Sequence, residues 1–158
     1  MKNALLAETH GLKSGFLGDL NGGQESARFD MAKSHRLCFV VDVASLAADL
    51  DITLRQHDAA AAGNSKDLQI ETAYYRKVAA ETAFTKVDIS TAAANFVDAS
   101  FNGAVGMLVI EVQAEDLDDA NGYQYVSLQV ADPGGARVGS ILEVGNHMRN
   151  LVAYSEDL

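Results

Sequence analysis

The chain has no tryptophan, one cysteine, one proline and few cations: 12 Lys and Arg against 22 Asp and Glu in 158 residues, a formal net charge of -10. Each shortage excludes something. With Cys38 alone, no intrachain disulfide framework can form, and a closed zinc site is not expected. The acidic balance repels phosphate backbones and anionic lipid, so neither nucleic acid nor a membrane is expected as a direct partner. The lack of tryptophan weakens a carbohydrate platform, although Tyr74, Tyr75, Tyr123 and Tyr125 remain to stack on a sugar face. No stretch approaches the roughly 20 apolar residues that cross a bilayer. The apolar run within residues 1–8 is too short for a signal peptide, so synthesis and folding in a cytoplasm are expected.

What is present is strand pattern. About half the residues are apolar (48%), enough for one ordered domain with an ordinary core. Residues 103–113, 123–131 and 137–148 read as three half-buried strands, broken at Asn121-Gly122 and Pro133-Gly134-Gly135. Residues 35–43 form a continuous apolar run, as in a central strand buried on both faces, and Cys38 within it reads as a buried, inert thiol. Residues 51–57 alternate, with Ile52, Leu54 and Gln56 on one side and Thr53, Arg55 and His57 on the other. Shorter strands are expected at 26–31, 68–70, 74–78 and 84–89. A loop is expected at 58–65, and helical turns within 90–101 and 115–119.

The first 25 residues differ. Gly11, Gly15, Gly18, Gly22 and Gly23 are scattered among Leu5, Leu6, Leu12, Phe16, Leu17 and Leu20. Glycine at this density opposes a helix, and the apolar residues oppose a solvated tail. An extended arm over 1–25 is expected, ordering on a partner subunit or lying over the domain's own core, ahead of a single β domain over 26–158. The expected class is mainly β: an antiparallel β-sandwich or partly closed, jelly-roll-like barrel with one or two short helical turns.

No reactive constellation stands out. His10, His35, His57 and His147 share no ligand spacing. Asp116, Asp118, Asp119 and Asn121 offer oxygens. In an EF-hand register from Asp116, however, position 6 is Asn121 and position 12 is Ser127, so a polar turn is the better reading. Gly-x-Ser-x-Gly and phosphate-binding glycine loops are absent. Tyr74-Tyr75-Arg76-Lys77 reads as strand packing with solvated cations rather than a nucleic-acid cluster. No catalytic, cofactor-binding or metal-ligating residue is assigned, and no enzyme activity is expected.

The order of segments over residues 35–154 resembles a family of small tailed-bacteriophage virion proteins, the capsid decoration or cement proteins. The resemblance is carried by Ile52-Thr53-Leu54-Arg55-Gln56 leading into residues 58–68, by Gly106-Met107-Leu108-Val109-Ile110-Glu111-Val112, and by Ala114-Glu115-Asp116-Leu117-Asp118 running to Asn121-Gly122-Tyr123. It implies a protein on the outer surface of an expanded icosahedral head, partnered by the major capsid protein and reinforcing the lattice. It further implies a homo-oligomer, a trimer first and a dimer second, with no cofactor. Leu5, Leu6, Leu12, Phe16 and Leu17 are the expected contact residues. A tail-tube or head-tail joining subunit is the nearest alternative, and a carbohydrate-binding β-sandwich module the next.

Overall fold

The computed structural model describes residues 10–71 and 73–146. Alternating burial builds two antiparallel sheets around one core. The first sheet runs in the order β1 (His10–Asp19), β12 (Val138–Asn146), β4 (Arg36–Val43), β10 (Gly106–Gln113), β7 (Ala73–Val78), β8 (Thr85–Asp88). The second runs β2 (Gln24–Glu25), β11 (Tyr125–Val130), β5 (Leu50–His57), β6 (Ser65–Asp67). In addition β3 (Phe29–Asp30) pairs with β11, and β9 (Asn95–Asp98) with β5. Neither sheet closes on itself, so of the two expected architectures the sandwich is the one formed. Among the described residues the helical content is confined to short 3-10 turns, at Met31–Lys33, Ala99–Phe101, Ala114–Asp116 and Asp119–Asn121.

Residues spaced by two along β4 and β10 fill the interior: Leu37, Phe39 and Val41 from one strand, Leu108, Ile110 and Val112 from the other. Ile52 and Leu54 of β5 and Val126 and Leu128 of β11 meet them from the opposite sheet. The late strands β10, β11 and β12 follow one another in sequence but alternate between sheets. The segments after β10 and β11 are therefore crossings of the sandwich rather than hairpin turns. Gly122 and Gly134 each adopt a φ of 81° in these crossings, a left-handed conformation that favours glycine.

Of the expected arm over 1–25, the described residues 10–25 lie against the domain's own sheets. From His10 to Asp19 the chain is a strand hydrogen-bonded to β12, and Leu20 behind it is fully buried. Gly22 and Gly23, in the turn behind β1, adopt φ of 77° and 75° and use glycine's freedom, but Gly15 within the strand serves close approach. Gly15 forms a bulge where a Cβ would lie 2.7 Å from Glu143 Oε1. Across the pair, Gly139 and Gly145 leave room for Leu20 and Phe29 to lie against β12.

One polar latch joins the sheets at the β7 side. Asp98 of β9 accepts hydrogen bonds from Tyr74 Oη (3.0 Å) and the Ser100 backbone N–H (2.9 Å), and pairs with Arg76 at 3.2 Å. Arg76 is thus half-buried between two carboxylates, Asp98 and Glu81, where a solvated cation was expected. Burial and the bond to Asp98 push the Tyr74 hydroxyl up to about 12. Asp98→Asn keeps an acceptor but removes the charge facing Arg76, and should cost about 1–2 kcal/mol in denaturant unfolding. An unchanged midpoint would show that the latch contributes nothing.

Candidate interaction surface

The same alternation that fills the core sends every second residue of the first sheet outward, and many of these are apolar. In register across the sheet stand Ser14, Leu142, Val40, Val109, Tyr75 and Lys86, so four adjacent strands contribute an unbroken apolar row. On one side of it lie Leu12, Val144 and Cys38; on the other, Leu17 and Met107. Leu17 is 76% exposed, Leu12 45% and Leu142 40%. Strand spacing and rise make this face about 24 Å by 20 Å, on the order of 500 Å² in projection. That is at the upper end of what soluble monomers expose.

The apolar run at 35–43 predicts a strand covered on both sides. The structure covers only one: Leu37, Phe39 and Val41 are buried, while Cys38 and Val40 are half-buried on the open face. Cys38 is thus not the enclosed thiol expected. It lies opposite Glu111 and Val144, and burial first and the Glu111 carboxylate second push it up to about 11. It is a poor nucleophile at neutral pH.

Of the five expected contact residues, Leu12 and Leu17 lie on this face. Phe16 does not, because the bulge at Gly15 turns it inward against the core. Leu5 and Leu6 lie outside the described residues. Leu142, Val109 and Tyr75, the centre of the face, were not among the expected contact residues. The usable signal was the two-sided apolar pattern of β4.

The polar side chains gather elsewhere, on the outer face of the second sheet. His57 Nε2 is 2.7 Å from Ser127 Oγ and 3.3 Å from Glu25 Oε1, and the Ser127 hydroxyl donates to Glu25 at 2.5 Å. The Ser127 proton is used on Glu25, so the neutral imidazole donates from Nε2 and its buried Nδ1 has no hydrogen-bond partner. A nucleophile–base pair needs the reverse: a serine donating to the ring, and a second group orienting the far nitrogen. His57 and Ser127 are also fully buried. Near them, Arg28 donates to the carbonyls of Ala59 and Ala62 and so pins the loop that follows β5. Burial, reinforced by Arg28, lowers the His57 pKa, so the ring stays neutral at pH 7. Sequence carried no signal for this cluster, whose members come from three distant strands.

The remaining sequence candidates resolve into turns and packing. Asp118 accepts from the Asn121 amide and pairs with Lys66, and Asp116 accepts from the Gln113 backbone N–H. The Asp116 and Asp118 carboxylates are therefore engaged in shaping the crossing between β10 and β11. Among the described residues, no three His, Cys, Asp or Glu side chains group as a metal site would require. The tyrosines are dispersed: Tyr74 is buried, Tyr75 is on the open face, Tyr125 lies on the second sheet, and Tyr123 stacks under Lys66 with Nζ 4.4 Å from the ring centre. His35 is exposed, and His147 lies outside the described residues. No described helix is long and apolar enough to cross a membrane.

Fold and surface together define an antiparallel β-sandwich with one open apolar sheet face. No protein-family model matches the chain, and no curated protein matches it. Among solved structures it is similar to the SPBc2 prophage-derived protein YomS, at 12% identity and a TM-score of 0.47, over 86% of this chain and 93% of that one.

Proposed function

We propose that this chain is a structural protein of a tailed-bacteriophage virion that binds the outer surface of the expanded head and stabilises it. The observation that carries this reading is the open apolar face of the first sheet. It is a feature suited to assembly, in a fold whose buried His57–Ser127 pair lacks the arrangement for catalysis. The order of segments over 35–154 supports the same reading.

The physics of reinforcement needs no strong single site. A rigid sandwich that bridges neighbouring capsomers binds the expanded lattice and not separated subunits, so it stabilises the lattice by mass action. Repeated weak contacts on one particle add avidity. The major capsid protein is the partner in this reading, and no cofactor takes part. Among the described residues, the dispersal of Tyr74, Tyr75, Tyr123 and Tyr125 leaves no platform to favour the glycan alternative.

Purified protein mixed with undecorated, expanded heads should give regular density at symmetric capsomer junctions by cryo-electron microscopy, and should raise the temperature at which heads release DNA. Bare heads beside folded protein would overturn the reading. So would rings or tubes formed by the protein alone, which would favour the tail or joining role.

A further inference from the structure

We propose that a second copy of this chain covers the open face of the first sheet, in a twofold face-to-face pair. The pair uses the same face that the virion reading takes as its mark of assembly, so a face covered by its own copy leaves the capsid contact to other surfaces, and the oligomeric state tests the pair separately from head binding.

Charge is the first argument. Two copies of a chain with net charge -10 repel, so a self-mating face must be compensated locally. This one is. The outward charged positions of β4, β10, β7 and β8 are Arg36, Lys77 and Lys86 against Asp42, Glu111 and Asp88, a sum of zero. Two of these pairs are in direct contact: Arg36 with Glu111 at 3.4 Å and Lys86 with Asp88 at 2.5 Å. Among the described side chains of β1 and β12, Asp19 is the one outward charge. Its carboxylate accepts from the backbone N–H groups of Asn21 and Arg137. The acidic excess therefore lies almost wholly off this face. A basic partner would instead select an acidic face.

Shape is the second argument. Leu17 and Val138, 76% and 62% exposed, stand beside a surface hollow of about 350 Å³ that they share with Val105, Gly139 and Asp42. A projecting leucine next to an apolar hollow is self-complementary under a twofold axis: each copy offers what the other receives. The pattern of β4 is the third. Its sequence is that of a strand covered on both sides, and a sheet face laid on its own copy supplies the missing cover.

The face buries on the order of 1,000 Å² in total when two copies meet, at the low end of specific interfaces. The pair should therefore be of micromolar strength. On a lattice, a preformed pair doubles the contacts each particle makes.

The test is sedimentation velocity on the full chain over roughly 1 to 200 µM, a range that brackets such an affinity. The mass should rise from 16.8 kDa to twice that value, with little dependence on salt. Leu142→Asp should move the midpoint at least about tenfold. Leu17→Asp, at the most exposed position, should do the same without disturbing the fold, which circular dichroism confirms. Maleimide labelling of Cys38, the natural thiol on the face, should slow as concentration rises through the midpoint. A single-copy mass throughout would overturn the pairing, even if heads then protect Cys38, since that result would give the face to the capsid. A three-copy mass would overturn the twofold arrangement. A dimer indifferent to both substitutions, with Cys38 equally reactive, would place the contact elsewhere.

Discussion

Leu108→Asp is expected to abolish folding. Leu108 sits at the middle of β10, in register with Val41 on β4 and Arg76 on β7, and is 1% exposed. Losing a buried leucine costs about 2–5 kcal/mol by itself. A carboxylate at that place adds the penalty for a buried charge or, if it stays protonated, for a buried carboxyl with no designed partner. The sum matches or exceeds the roughly 5–15 kcal/mol that holds an ordinary domain together. The adjacent residue supplies the control. Val109 points to the open face and is half-buried, so Val109→Asp should cost less than about 2 kcal/mol and leave a folded chain. Far-ultraviolet circular dichroism and thermal melts of the two variants separate the faces of β10 directly. A cooperative melt of Leu108→Asp at the wild-type temperature would invalidate the strand register.

That contrast also marks how far the sequence could be read. The strands β5, β10, β11 and β12 were legible because each is long enough for a period of two to show, and β4 through its unbroken apolar run. Ile52, Leu54 and Gln56 do face the core as their alternation requires. His57 breaks the pattern by being buried on the outer side, near the Arg28-pinned loop, an effect of tertiary structure that no local pattern encodes. Strands of two to four residues, such as β2, β3 and β9, carry too few side chains for any period. β1 was hidden for another reason. Its glycines were read as conformational freedom, whereas Gly15 makes space for the Glu143 carboxyl beneath it. The candidate surface was half visible. Leu12 and Leu17 were found through their apolar character. Leu142, Val109 and Tyr75 emerge only once the register sets them side by side.

Glu143→Gln is expected to stabilise the protein at pH 8 and to remove a pH dependence from its unfolding. Glu143 is on the inward side of β12, 0% exposed, beneath the Gly15 bulge. Lys13 of β1 faces it at 3.8 Å and Ser26 lies alongside. Burial pushes the carboxyl from 4.5 to about 7, and Ser26 and Lys13 pull it back only in part. A raised carboxyl pKa means that the folded chain holds the proton after the unfolded chain has released it. Below pH 4.5 both states are protonated and nothing is lost. As pH rises from 4.5 to 7 the unfolded state gains by ionising first, and stability falls by about 3 kcal/mol across the window. Above 7 the full loss persists, because folding then buries a charge. His57 acts in the opposite sense. Its lowered pKa makes the unfolded state take up a proton first, so stability also falls as pH drops below 6.5. Below pH 6.5 the two slopes oppose, so the wild-type curve should be flatter there than Glu143 alone would make it. Glutamine keeps the volume and cannot ionise, and the half-exposed Lys13 loses little when its partner is gone. The variant should gain about 1–3 kcal/mol at pH 8, a rise of roughly 2–10 °C in Tm for a chain of this size. Below pH 4.5 the two proteins should converge. Parallel stability curves for wild type and variant between pH 4.5 and 8 would show that Glu143 ionises as freely in the folded chain as in the unfolded one.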